Sequence, residues 1–215
     1  MTDLLAIADS GPWPAHDGWP RYPRDTPAMV AIHEAGHLIV ALALQAHGGL
    51  DSGRELVAVS SGHEGALHHV RDGHRVQPPA EVRTQPYAPW VDADDKARRM
   101  VLDRVAVYLA GRAAESIAAG FELRGWPRAL LDTDDGRSAV LFSSLCWPER
   151  IDGPLQAGWL LARHTLERER AWLQRVAAVI ETTGQCSGQD ALALRSCDSR
   201  PVTGLDGECR SWATQ

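Results

Sequence analysis

The stretch Thr26–Ala46 reads TPAMVAIHEAGHLIVALALQA and is the best guide to the fold. Thr26 offers a hydroxyl as an N-cap, and Pro27 suits the first helical position because its φ angle is already helical and its missing N–H is not needed there. The pattern predicts a helix from about Pro27 to Ala46, which ends at the Gly48-Gly49 pair. Apolar side chains cover most sides of this helix, so we expect it to lie in the core.

His33-Glu-Ala-Gly-His37, inside that helix, is the most informative segment of the chain. Two histidines four residues apart share one helix face, so both imidazoles can bind one metal ion. Glu34 can then act as a general base on a water molecule that attacks a peptide carbonyl. The alternative is that His33 and His37 are core histidines, but two buried imidazoles and a carboxylate would each need polar partners. We expect zinc, with His33 and His37 as ligands and Glu34 as the catalytic residue.

The third ligand must come from elsewhere, because a catalytic zinc ion usually has three protein ligands. The extended pattern H-E-x-x-H-x-x-G-x-x-H is absent, since Val40 and Ala43 stand where it has glycine and histidine. The candidates are Glu115, Asp132, Asp134, Asp135 and a histidine of the 63–74 cluster. The three aspartates could instead be acidic residues that favour the start of a helix.

The remaining patterns predict a mainly helical domain with one small sheet. Further helices are expected at about 94–119, from the 131–136 turn to 145, at 153–183 and at 188–195. The β-prone runs 55–59 and 65–70 predict a hairpin. Residues 1–27 are expected to form an irregular arm rich in proline and tryptophan, residues 28–195 the domain, and residues 196–215 a tail.

Two groups of residues have simpler explanations than a role in binding a metal ion or a substrate. The histidines His63, His68, His69 and His74 fit a polar hairpin, because neighbouring strand residues such as His68 and His69 point to opposite faces. The tryptophans expected in the core or at an interface are Trp126, Trp147, Trp159 and Trp172.

Composition excludes some classes of function. The chain has 215 residues, of which 22 are basic and 28 acidic, for a net charge of −6. Nucleic acids and anionic membranes bind basic faces, so neither is an expected partner. The longest apolar run, Leu38–Leu44, is far shorter than the roughly 20 residues of a bilayer crossing, and the N-terminus has no signal-peptide pattern. We expect a cytoplasmic protein without a membrane span, whose four cysteines are free thiols.

Three segments together resemble one known family. They are Ala28–His37 (AMVAIHEAGH), Ala110–Gly120 (AGRAAESIAAG) and Asp134–Ala139 (DDGRSA). In this order they are similar to the zinc helix, the Gly-Arg-x-Ala-Glu helix and the Asn-Asp-x-x-x-Ala-Thr segment of the FtsH-type ATP-dependent metalloproteases. The resemblance implies the mainly α-helical zinc-peptidase fold of that family. It also implies that Asp135 is the third zinc ligand, with Asp134 as the alternative.

The same resemblance suggests a role for Glu115, a position for the hairpin and an oligomeric state. Glu115 would lie beside the site, where it could orient a ligating histidine; the alternative is an ion pair with Arg112. The hairpin would lie beside the path of a polypeptide substrate, and the family's peptidase domains assemble as hexamers. This chain departs from the family because it has neither a phosphate-binding loop nor a membrane anchor.

We therefore expect a metalloendopeptidase that cleaves unfolded proteins or peptides without its own motor. One alternative is a peptidase subunit that works with a separate ATPase in trans. Another is a non-catalytic zinc-binding interaction protein, whose site would have a fourth ligand and no need for Glu34.

Overall fold

A computed structural model describes most of the chain between residues 3 and 196. The described residues are 3–10, 13, 15–16, 26–46, 55–60, 65–71, 74–76, 93–123, 125–127, 130 and 133–196. The helices are α1 (Leu4–Ser10), α2 (Pro27–Ala46), α3 (Asp95–Ala119), α4 (Asp134–Cys146), α5 (Asp152–Arg168), α6 (Arg170–Thr183) and α7 (Gly188–Ser196). The strands are β1 (Ala15–His16), β2 (Glu55–Ser60), β3 (Gly65–Arg71), β4 (His74–Val76), β5 (Trp126–Pro127) and β6 (Gln185–Ser187). The expectation of a mainly helical protein with a small sheet is confirmed.

Helix α2 is the central element of the core, as its apolar sequence predicts. It packs against α3 and α6, and Ala31, Leu38 and Ile39 have no exposed surface. Among the described residues, α2 is the one helix that is long and apolar enough to cross a bilayer, and 72% of the stretch Pro27–Leu44 is buried within the fold. Packing against its neighbours thus accounts for the composition of this helix.

Helix α3 begins and ends where its capping residues predict. The side chain of Asp94 accepts a hydrogen bond from the Ala97 N–H at 2.8 Å, which satisfies one of the free amides at the start of the helix. Gly120 closes the helix with a φ angle of 73°, in the left-handed region that glycine adopts without strain.

The predicted hairpin is present and belongs to a larger sheet. Strands β2 and β3 pair antiparallel from Glu55 opposite Val70 to Ser60 opposite Gly65. The sheet has the order β4-β3-β2-β6, and all its neighbouring strands are antiparallel. Strand β6 was not expected; it comes from a point far along the chain, where local sequence carries little strand signal. The sheet lies against α2, which places the start of β3 near the His-Glu-x-x-His segment.

The prediction of one long helix over 153–183 is wrong. Helices α5 and α6 are separated at Glu169, whose φ of −103° and ψ of 27° leave the helical region. Its carboxylate bonds Arg195 of α7 at 2.6 Å. This contact between distant residues holds the junction in place, and periodicity along 153–183 cannot reveal it.

The N-terminal arm contains a helix, α1, although an irregular segment was expected. Three of the four tryptophans expected inside are buried, Trp147, Trp159 and Trp172. The side chain of Trp126 lies outside the described residues. Cys146 and Cys186 are free thiols, as expected, and burial raises the pKa of Cys186 to about 11. Cys197 and Cys209 also lie outside the described residues.

Candidate metal centre

His33 and His37 meet on the face of α2 that is turned towards α3 and α4. Their Nε2 atoms are 3.0 Å apart, and the two rings lie edge to face with centroids 4.7 Å apart. His37 is buried and His33 nearly so. The one-turn spacing therefore brings both imidazoles to one point, as the sequence predicts.

Asp135 completes the cluster from the first turn of α4. Its Oδ2 atom lies 3.3 Å from Nε2 of His33 and 3.3 Å from Nε2 of His37. Thr133, rather than an aspartate, is the N-cap of α4, and its hydroxyl oxygen accepts a hydrogen bond from the Gly136 N–H at 3.1 Å. Asp134 is exposed to solvent. The structure thus brings Asp135, and not Asp134, to the two imidazoles.

The other candidate ligands are not part of this group. Glu115 contacts the opposite side of the His33 ring. Asp132 and His63 lie outside the described residues, as do the side chains of His68, His69 and His74. In the described part of the chain, His33, His37 and Asp135 form the one group of three or more potential ligands whose donor atoms converge, all within 4.8 Å of one another.

Hydrogen bonds at the Nδ1 atoms leave the Nε2 atoms free to act as ligands. Nδ1 of His37 lies 2.6 Å from the backbone oxygen of Val107. A carbonyl oxygen can only accept, so His37 carries a proton on Nδ1 and offers its Nε2 lone pair when neutral. Nδ1 of His33 lies 2.5 Å from Oε1 of Glu115, which selects the same tautomer for His33.

Glu115 makes both of the contacts that the two sequence-based alternatives require, one with His33 and one with Arg112. It is buried on α3 and accepts hydrogen bonds from Arg112 at 2.9 and 2.8 Å while it contacts His33. The ion pair with Arg112 compensates for the burial of the carboxylate. Glu115 is therefore placed to orient the His33 ring.

Two glycines that sequence reasoning did not single out make room for these side chains. A Cβ atom on Gly111 would lie 2.5 Å from Nε2 of His37 and would overlap the His33 ring. A Cβ on Gly65, at the start of β3, would lie 2.5 Å from Oε1 of Glu34. The Gly-Arg pair before the buried Glu115 was the available signal for Gly111, whereas Gly65 depends on how the sheet packs.

Glu34 is a buried carboxylate with an unused oxygen. Its side chain is 4% exposed, and among the described residues its Oε2 atom has no hydrogen-bond partner. Burial raises the pKa of the Glu34 carboxyl, although the nearby imidazoles oppose this. A buried carboxylate oxygen without a partner lowers the stability of the fold. We therefore look first for a function that explains why Glu34 is kept at this position.

His33, His37, Asp135 and Glu115 form a network of ion pairs. Burial lowers the pKa of His33, but hydrogen bonds to Asp135 and Glu115 outweigh this effect and raise the pKa to about 9. The pKa of His37 also rises, because Asp135 outweighs burial. Burial would raise the pKa of Asp135, but the two imidazoles outweigh it and hold the pKa well below its usual range.

The donor set fits a small tetrahedral ion. Ligand atoms about 2.0 Å from a common ion in tetrahedral arrangement stand about 3.3 Å apart. The three separations here are 3.0, 3.3 and 3.3 Å. Two imidazoles and one carboxylate are also the ligand types of catalytic zinc sites. The donor types and their spacing are therefore compatible with a small tetrahedral ion such as zinc.

Comparison of the sequence with models of known protein families and with curated proteins gives no match. The interpretation of this site therefore depends on its own geometry and on the three sequence segments described above.

The charge of Glu115 is expected to strengthen metal binding. Glu115→Gln keeps an oxygen that can accept from His33 but removes the negative charge, and loss of such an outer-sphere partner usually costs about 10–100-fold in affinity. We expect the zinc Kd to rise by that factor in a competition titration with a chelating dye. Glu122, an exposed carboxylate seven residues after Glu115 in the chain, serves as a control. An equal effect of Glu122→Gln on the zinc Kd would contradict the role of Glu115.

Zinc affinity is expected to rise with pH. Because Asp135 and Glu115 raise the pKa of His33 to about 9, its imidazole carries a proton at neutral pH that a bound metal ion would have to displace. The apparent Kd should fall by up to about tenfold per pH unit for each proton displaced. Titrations between about pH 6 and pH 8, with calorimetry in buffers of different ionisation enthalpy, would measure this. A pH-independent Kd without proton release would exclude His33 as a ligand.

Proposed function

We propose that the protein is a zinc metallopeptidase in which His33, His37 and Asp135 hold the ion and Glu34 is the general base. The observation that carries this proposal is the position of Glu34. It is a buried carboxylate whose Oε2 atom has no partner among the described residues, next to a converging group of three donors. A site with a purely structural purpose would have no use for this carboxylate.

When bound, zinc would polarise the substrate carbonyl and make a water molecule more acidic. The side chains of the protein transfer the proton and hold the imidazoles in position. Glu34 accepts a proton from the attacking water at Oε2 and later delivers it to the amine of the leaving peptide. Burial raises the pKa of Glu34, so its carboxylate is a better base than one in water. Glu115 and the Val107 carbonyl hold the two imidazoles in place.

The number of converging donors matches that of a catalytic site. Structural zinc sites use four protein ligands, whereas catalytic sites use three and keep one position open. His33, His37 and Asp135 supply three. A fourth protein ligand on the zinc-loaded protein would favour the non-catalytic zinc-binding protein instead.

The substrate we propose is an unfolded protein or a flexible segment. The resemblance to the FtsH-type peptidase domain suggests cleavage of polypeptides. An extended, unfolded chain presents its peptide bonds to the site without any prior unfolding step.

Degradation of labelled, unfolded casein by the zinc-loaded protein tests this function. We expect cleavage that a chelator abolishes and that zinc restores, without ATP. If one zinc binds per chain and casein stays intact, autonomous proteolysis is wrong, and a peptidase that needs an ATPase partner or a non-catalytic zinc protein becomes the better explanation.

A further inference from the structure

The N-terminal arm contacts the far end of the helix that carries Asp135. Trp147, the C-cap residue of α4, donates a hydrogen bond from its indole Nε1 to Oδ1 of Asp9 at 3.0 Å. Arg98 of α3 pairs with the same oxygen, and its guanidinium carbon lies 4.9 Å from the centre of the Trp147 ring. One carboxylate therefore joins the arm, α3 and the C-terminal end of α4.

The arm also reaches the segment that leads into the start of α4. Strand β1 pairs in parallel with β5, with Ala15 opposite Trp126 and His16 opposite Pro127. Shortly after β5, the carbonyl of Leu130 accepts hydrogen bonds from the N–H and the hydroxyl of Thr133, at 3.1 and 2.8 Å. Thr133 is the N-cap of α4, so β1 pairs with a strand that lies six residues before the start of the helix that carries Asp135.

The described residues of the arm pack against the rest of the domain. Leu5, Ala8 and Trp13 are at least 92% buried, and the Trp13 ring lies 6.0 Å from that of Trp159. The backbone of α1 approaches α5 so closely that a Cβ on Gly153 would overlap the carbonyl of Ala8. Apart from the arm, α4 packs mainly on α3. The contact of Asp9 with Trp147 thus adds a restraint on α4 besides its packing against α3 and α5.

We propose that the N-terminal arm helps to set the position of Asp135 against His33 and His37, through Asp9 at the C-cap of α4 and through the pairing of β1 with β5 ahead of its N-cap. This inference rests on the proposed zinc site, because Asp135 is the ligand that it positions. Ligand atoms must be held to within about 0.5 Å of their productive positions, so contacts at the C-cap of α4 and ahead of its N-cap limit the movement of the helix that carries Asp135. Asp9 is therefore a positioning residue that acts through Trp147.

Two substitutions in the full chain loosen the arm from different sides. Asp9→Ala removes the carboxylate that the indole and the guanidinium share, and Gly153→Ala places a methyl group against the carbonyl of Ala8. Glu169→Ala is the matched control, because it also removes a carboxylate paired with an arginine, Arg195, but at the junction of α5 and α6. Zinc Kd and amide hydrogen exchange of the metal-free protein are measured for all of them.

We expect exchange in α4 to become about tenfold faster relative to the core helix α2 in both arm variants. The zinc Kd should rise about tenfold, the lower range for an outer-sphere change. Glu169→Ala should lower the Tm without either effect. Unchanged exchange in α4 in the variants that fold would overturn this role of the arm, whether or not zinc binds. Failure of the unaltered protein to bind zinc would instead overturn the metal site, while the exchange measurement would still decide the role of the arm.

Discussion

The Glu34→Gln variant is expected to lose about 10²–10⁴-fold in kcat/KM on unfolded casein, the range for removal of a positioned general base. Glutamine has nearly the same shape, so it keeps the close contact with Gly65, but its amide cannot take a proton from water. Zinc should still bind, because Glu34 is not among the three converging donors. The measurement combines initial cleavage rates with the zinc content of the purified variant.

The same substitution should leave the metal-free protein at least as stable as before. The Glu34 carboxyl is buried, and burial raises its pKa, so a neutral amide costs less to bury than a carboxylate. Loss of activity together with an unchanged or higher Tm would show that Glu34 is kept for chemistry rather than for folding. Glu181→Gln, at an exposed position of α6, is the matched control. Full casein cleavage by zinc-loaded Glu34→Gln would exclude the mechanism.

Local sequence predicts the elements whose ends carry their own capping chemistry. Helix α2 follows Thr26 and Pro27, and α3 lies between the Asp94 cap and Gly120. These signals act within one turn of the helix end, so they are readable without knowledge of the fold. The two histidines are equally local, because a four-residue spacing fixes their common face once the helix exists.

Features that depend on distant contacts could not be predicted in this way. The break at Glu169 is held by Arg195, 26 residues further along the chain. Strand β6 exists because it pairs with β2, and the space for the imidazoles exists because Gly111 of α3 faces α2. Each of these results from packing between elements, which periodicity and propensity do not contain.

The third donor lies between these two cases. Successive helical residues point about 100° apart, since a turn takes 3.6 residues, so Asp134 and Asp135 cannot share one contact. Which of them faces α2 depends on how α4 packs against α3, and the residues of this segment alone leave that open. The structure turns Asp135 to the imidazoles and leaves Asp134 exposed. The pair therefore provides an internal comparison within a single helical turn.

Asp135→Asn is expected to weaken zinc binding by more than about 100-fold, beyond the range for outer-sphere partners, because it removes a ligand and its charge. Asp134→Asn removes the same charge from the same first turn of α4, so both variants lose the same favourable interaction with the helix dipole. Only the contact with Nε2 of His33 and His37 differs between them. Zinc titration of the two variants thus separates ligation from helix stability.

Thermal unfolding gives an independent measurement of the same difference. A ligand that binds only the folded state at 100 times its Kd stabilises that state by about 2.7 kcal/mol. Zinc at that excess should raise the Tm of the unaltered protein and of Asp134→Asn, and should leave the Tm of Asp135→Asn nearly unchanged at the same concentration. Equal zinc-induced shifts in both variants would exclude Asp135 as the third ligand. A shift that is lost only in Asp134→Asn would assign the role of third ligand to Asp134. The first turn of α4 would then have to rotate when the ion binds.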